Sequence, residues 1–446
     1  MRTVHTPSFR MIRMTLLILA VICICILLGA GIGLVPVEQI PKDVPITTVS
    51  DVTLERSGQT ETISLPYRIT RLSPRETFQI DFTITPSDED ELYVKTVYAP
   101  LKVYADGELI YSYGTEGTYP SFFADPPTEV ASLSLPKGKH TLPVTMVYEA
   151  PNARHSMVIA APLLGSDSAI TRHLTSGLGL SLLFAAVQIF MGILLILITL
   201  LLFPMDMRFT APLWLGLFAL VTGIWTASES NLTLYYTHHP SLFYMLAFMA
   251  LFSITIPLYH FTMELLHLTD SKVLQSICLL QEVSFAVALL LQLTGLIPFS
   301  KSMYYFHLLL PLSVVFLAGY ILYVGMCTRS ITMKHFFFPV AILAVSSCME
   351  VLNYQIRIIN QLSSVFQIGI LLFILFSELL AGRFLKDALM LREKNQVLSA
   401  NLDMLEKQTD MQKERVALLL QNEAMVKQQR HDLKHQYAIL SSFCEE

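Results

Sequence analysis

Charge is scarce in this sequence. Of its 446 residues only 15% are Asp, Glu, Lys or Arg, whereas 53% are hydrophobic. Soluble domains carry about 25% charged residues, so a purely soluble protein is a poor fit to this composition. The formal net charge of -5 excludes the basic surface expected of a nucleic-acid-binding protein. Cysteine is also sparse. Cys23, Cys25, Cys278, Cys327 and Cys348 fall in apolar runs and Cys444 in the tail. None lies between residues 35 and 176, so that stretch has no disulfide framework, and the apolar placement fits buried small residues better than redox or metal chemistry. The same stretch has no tryptophan.

What the chain has in abundance is long apolar runs. They occupy approximately 178–203, 211–228, 241–265, 273–298, 303–327, 336–353 and 361–382. Each is long enough to cross the ~30 Å hydrocarbon core of a bilayer as a helix. The expected partner of residues 177–382 is therefore a lipid bilayer, and an odd number of crossings places the flanking segments on opposite sides. A further apolar run at 14–35 follows Arg2, Arg10 and Arg13 with no acid among them. It reads as an uncleaved anchor with the N-terminus in the cytoplasm, a cleaved signal sequence being the alternative. The loops agree on orientation. Arg208, Lys272, Arg329, Lys334 and, past the last run, Arg383, Lys386, Arg392 and Lys394 lie on one side, against Lys301 and Arg357 on the other. The expectation is a multi-pass protein with both termini cytoplasmic and residues 36–176 extracellular.

Residues 36–176 change character. Short runs alternate with period two at 78–84, 92–98, 101–104, 109–111, 130–133, 141–148 and 157–160. Asp106-Gly107 reads as a tight hairpin turn. About eight strands without disulfides predict an all-β, two-sheet sandwich of jelly-roll type. If this domain binds a small molecule, carbohydrate being one class, aromatic faces beside polar groups are the means. Tyr111, Tyr113, Tyr119, Phe122 and Phe123 cluster there with Glu116 and Asp125. Core packing is the competing role for the same rings, and the missing tryptophan weakens the carbohydrate case.

From residue 383 to 446 the chain is polar, helix-forming and free of proline. Leu391, Leu398, Leu402, Leu405, Val416, Leu419, Val426, Leu433, Tyr437 and Leu440 follow a heptad seam, interrupted by Thr409, Gln412 and Glu423. This predicts a coiled coil through which the protein forms a homodimer. The helix then presents Arg430-His431-Asp432-Leu433-Lys434-His435-Gln436. An imidazole is a usable nucleophile near neutral pH, and the adjoining Asp432 carboxylate can orient it and take its proton. His431 and His435 share a helix face, but no third metal ligand has sensible spacing, so no metal is expected there.

This box, after a heptad helix below a set of spans, resembles the phosphoacceptor box of sensor histidine kinases. The resemblance implies that His431 is the phosphorylated residue, Asp432 its acid–base neighbour, and a response regulator the downstream partner. The departure is that no Gly-rich phosphate loop follows. No cofactor is therefore expected in this chain. ATP and Mg²⁺ would enter with a kinase domain in a continuation or a partner. The whole layout, with VYADGELIY at 103–111 in the β-rich part, resembles bacterial seven-transmembrane receptors with diverse intracellular signalling modules. That resemblance implies an extracellular jelly roll, a seven-helix bundle and a place in the bacterial cell membrane. The N-terminal anchor departs from it. A non-catalytic receptor or scaffold and a transporter-like bundle are the alternatives. Glu229, His260, Glu264, Glu282 and Glu350 are the ionisable residues within or at the ends of the spans, where charge is costly and usually functional.

Overall fold

The computed structural model describes residues 46–202, 210–356 and 364–444. The apolar run at 14–35 and the loop cations Arg208 and Arg357 lie outside the described residues. The chain divides into two compact units, Met1–Ala381 and Gly382–Glu446.

The first unit begins with twelve strands: β1 (Thr47–Thr48), β2 (Asp51–Arg56), β3 (Gln59–Ser64), β4 (Tyr67–Thr70), β5 (Thr77–Ile84), β6 (Asp90–Thr96), β7 (Leu101–Ala105), β8 (Glu108–Tyr113), β9 (Glu129–Ser134), β10 (Leu142–Glu149), β11 (Ser156–Ile159) and β12 (Leu163–Ser166). They form a six-stranded sheet in the order β3-β2-β5-β10-β7-β8, a four-stranded sheet β1-β12-β6-β9 and the pair β11-β4. All pairings are antiparallel. The result is a β-sandwich-like domain. Alternation drives it: Phe78, Ile80, Phe82 and Ile84 of β5 are all buried, and Leu142, Val144, Met146 and Tyr148 of β10 face the same core. Asp106 and Gly107 close the β7–β8 hairpin with φ of 52° and 81°, the left-handed pair that a two-residue turn needs.

The sandwich has more strands than the period-two pattern predicts. β3 is the clearest case. It reads QTETIS, with five of its six residues exposed, and it sits at a sheet edge where no apolar face is required.

Nine helices follow among the described residues: α1 (Asp167–Leu202), α2 (Ala211–Glu229), α3 (Asn231–Thr237), α4 (Pro240–Ser253), α5 (Thr255–Leu265), α6 (Lys272–Leu293), α7 (Phe299–Cys327), α8 (Ile331–Ile356) and α9 (Ser364–Cys444). Six helical stretches are long and apolar enough to cross a membrane, with α4 and α5 together making one of them. The expected seventh run, 361–382, corresponds to a shorter apolar stretch, Phe366–Leu380, within α9. The first span also differs from its expected start near 178, because α1 begins at Asp167. Its extra turns have a packing role: Ile170 and Leu174 are buried against Tyr93, Val130 and Leu163 of the sandwich and Leu232, Leu234 and Tyr235 of α3.

Small residues bring α1 and α2 together. A Cβ on Gly192 would lie 2.7 Å from the Gly216 carbonyl oxygen, and one on Gly223 would lie 2.9 Å from the Ala185 carbonyl oxygen. Such close backbone approach is how helices pack where lipid removes the usual hydrophobic drive.

In the second unit, α9 continues to Cys444. Its large apolar side chains, Leu398, Leu402, Leu405, Val416 and Leu419 among them, are exposed in the single chain.

Candidate functional site

The segment joining β8 to β9 is one of the places where the sandwich meets the helices. Gly114 starts it with φ of 76°, and a Cβ there would meet Pro126 at 2.8 Å, so the segment folds back tightly on itself. A cleft of about 300 Å³ opens beside it. Tyr113, Glu116, Tyr119 and Asp125 line one wall; Arg75, Glu149 and Asn152 belong to the other. The Tyr113 hydroxyl donates to the Pro127 carbonyl at 3.0 Å. Burial pushes the Tyr113 and Tyr119 phenols above their ordinary range, and nearby carboxylates add to the effect.

Asp125 closes the bottom. Its carboxylate accepts from the Asn152 amide at 2.5 Å and the Ala153 amide at 3.0 Å. Burial nevertheless raises its pKa, the two amides only partly offsetting the loss of water. Glu129, buried beneath Tyr111 and Tyr113, is raised to about 7 by burial, against the opposing hydrogen bond from the Val130 amide. A broader hollow of about 380 Å³ lies over Thr53, Asp81 and Thr145 on the outer face of the six-stranded sheet, but it is shallow and brings no rings together.

The five expected ligand rings fall in three places. Tyr113 and Tyr119 line the cleft, and Tyr119 also packs against the helices. Tyr111 packs against the sandwich core. Phe122 and Phe123 turn away from the cleft and enter a cluster with Tyr244, Phe248, Phe252, Phe299 and Phe306 of α4 and α7. The Gln292 side chain of α6 fixes this contact at both ends: its Nε2 donates to the Phe122 carbonyl at 2.8 Å, and its Oε1 accepts from the Phe299 amide at 2.6 Å.

No protein-family profile matches the chain, and no curated protein matches it. Among solved structures it is similar, over 32% of its length and at 16% identity, to two crystal structures of β-glucosidase from Kluyveromyces marxianus, one selenomethionine-labelled and one in complex with glucose. The matched part covers 20% and 19% of those enzyme chains, so this chain spans about a fifth of their length. The TM-score is 0.18 in both, too low to carry an argument.

A cluster of charged groups, two of them not singled out in the sequence, lies where the strands meet the helices. Glu229, at the end of α2, is within electrostatic reach of Lys95 from β6, Arg154 from the β10–β11 segment, and Glu350 from α8. Glu229 is itself exposed at the end of its helix. Burial lowers the Lys95 pKa, and Glu229 opposes the shift. Glu229 and Glu350 were legible as ionisable residues of the spans, but Lys95 and Arg154 were not, because they come from strand and loop positions far away in sequence.

At the other candidate position, the His431 Nδ1 lies 3.6 Å from the Asp432 Oδ1, and both side chains are largely exposed. The His435 ring is 5.1 Å from that of His431. The imidazole is thus open to a protein partner, with a carboxylate beside it.

Proposed function

We propose that the protein is a multi-pass receptor of the bacterial cell membrane. Its extracellular jelly roll takes up a small molecule, of which carbohydrate is one class. Seven crossings relay the event to a cytoplasmic helix that carries His431 as phosphoacceptor. One observation carries this reading. The end of β8 and the segment that follows supply Tyr113 and Tyr119 to the cleft, and the same segment packs Tyr119, Phe122 and Phe123 on the helical cluster. A ligand that moves one part of so short a segment has direct mechanical access to the helices. This is a route by contact, and it relays a signal only if the ligand prefers one of two arrangements.

The exposed apolar stripe on α9 supports a homodimer. Leu398, Leu402, Leu405, Val416 and Leu419 fall on the heptad seam and have no cover within the chain; a parallel second copy would cover them. Rotation or spacing of two such helices would change how His431 meets a kinase domain and how its phosphate meets a response regulator. ATP and Mg²⁺ belong to that kinase domain.

Phosphohistidine mapping tests the output end. Membranes from the native host, digested at neutral to alkaline pH where phosphohistidine survives, should yield phosphate on the peptide containing His431, and His431→Ala should remove it. Phosphate absent from that peptide under all growth conditions would leave α9 a docking helix on a non-catalytic receptor.

A further inference from the structure

Three side chains of different chemistry converge between α5 and α6, toward the bundle end remote from the sandwich. The His260 Nε2 is 3.1 Å from the Glu282 Oε1, and the Cys278 Sγ is 3.6 Å from the same oxygen. All three donor atoms lie within 4.8 Å of one another. Cys278 and Glu282 are one helical turn apart, so α6 presents both on one face. His260 reaches them from α5. The Trp214 ring stacks on the His260 ring at 4.2 Å and 16°, which fixes the imidazole plane.

A tetrahedral zinc ion with bonds of about 2.0–2.3 Å spaces its ligand atoms about 3.3–3.5 Å apart. The two measured separations straddle that range, and the third, between His260 Nε2 and Cys278 Sγ, is at most 4.8 Å, so closing around an ion needs His260 and Cys278 to draw together. Cys278 is buried, whereas the His260 and Glu282 side chains are 31% and 42% exposed. One side of the set is therefore open to a fourth ligand. The electrostatics point the same way. Glu282 lies about 15 Å along α6 from Lys272, at 1.5 Å per residue, and an ionised carboxylate at such depth is costly in a span. A thiolate, a carboxylate and a neutral imidazole together carry two negative charges, which a divalent cation cancels.

We propose that His260, Cys278 and Glu282 form a binding site for a divalent transition metal, with zinc as the best match. The thiolate and imidazole favour zinc over magnesium or calcium, which seek oxygen ligands in greater number. Binding replaces the His260–Glu282 hydrogen bond with bonds to the ion, the proton on Nε2 being exchanged through solvent for one on Nδ1 so that the imidazole stays neutral. The Cys278 thiol forms a sulfur–metal bond and its proton leaves to solvent. The ion then ties α5 to α6.

The test uses the full chain in detergent, stripped with chelator and titrated with Co²⁺ as a spectroscopic probe. About one Co²⁺ per chain should bind, with a near-ultraviolet thiolate-to-cobalt band that Zn²⁺ abolishes by displacement. Cys278→Ser should lose the band, and Glu282→Gln should weaken binding at least tenfold. No band in the folded wild-type chain overturns the proposal, as does a band that survives in Cys278→Ser, which would assign the thiolate to another cysteine. Should Cys278→Ser fail to fold, alkylation of the wild-type chain decides. Zn²⁺ should protect Cys278 from a thiol reagent; equal labelling with and without Zn²⁺ overturns the proposal.

Discussion

Arg154 lies over the face of Tyr98, with its Cζ 4.4 Å from the ring centroid. Tyr98 meets Tyr244 of α4 edge-on at 5.9 Å. The arginine thus joins the loop that caps Asp125 to a ring that rests on the helices. A partly desolvated cation–π contact is worth about 0.5–2 kcal/mol. Arg154→Ala should lower the stability of the full chain in detergent by roughly that amount, and Tyr98→Leu by a similar amount. Thermal melts of both single variants and the double variant check this. The double variant should lose less than the sum of the two, because they break the same contact.

Helix packing between α1 and α2 gives the second expectation. Gly192 and Gly216 face each other, and a Cβ on either would meet the other's carbonyl oxygen within 3.0 Å. That neighbour is backbone, so the helices must separate for any side chain to fit. Gly192→Val and Gly216→Val should each cost about 1–3 kcal/mol, the range for overpacked sites. A cysteine pair placed across the same contact should cross-link efficiently in the parent and poorly in either variant.

Glu129 gives a pH dependence with a definite sign. Its carboxyl is raised from the ordinary 4.5 to about 7 by burial, so between those values the folded chain holds a proton that the unfolded chain has released. Stability contributed by this group is fully present below about pH 4.5 and is lost as the pH rises through about 7. The full effect is at most about 3 kcal/mol at 1.36 kcal/mol per pKa unit. Glu129→Gln, which stays neutral, should flatten the fall in melting temperature between pH 5 and 8. An unchanged slope in that variant would remove Glu129 as its source.

Much of this architecture is visible in the residues themselves. Period-two runs mark β5 to β11, and β5, β7, β10 and β11 bury alternate residues, whereas β6 buries Leu92, Tyr93 and Val94 in succession and β8 buries none fully. β3 is invisible because an exposed edge strand needs no apolar face. The helices are legible because lipid demands long apolar runs. The junction is not. Aromatic residues at 111–123 read as core more readily than as ligand contacts, and only the fold of the segment puts Tyr113 in the cleft, Phe122 and Phe123 on the helices, and Tyr119 against both. Cys278 likewise reads as one more buried apolar residue until α5 brings His260 against it.

In the proposed receptor, the sandwich controls the chemistry at His431 through the Phe122–Phe123 contact with the helices. The most direct measurement is the phosphate occupancy of His431 in native-host membranes carrying the wild-type protein or the double variant Phe122→Ala, Phe123→Ala at equal abundance. Phosphate is expected on His431 in the wild type, with a severalfold change, in either direction, in the double variant. Equal occupancy in the two, or none in either, would contradict it.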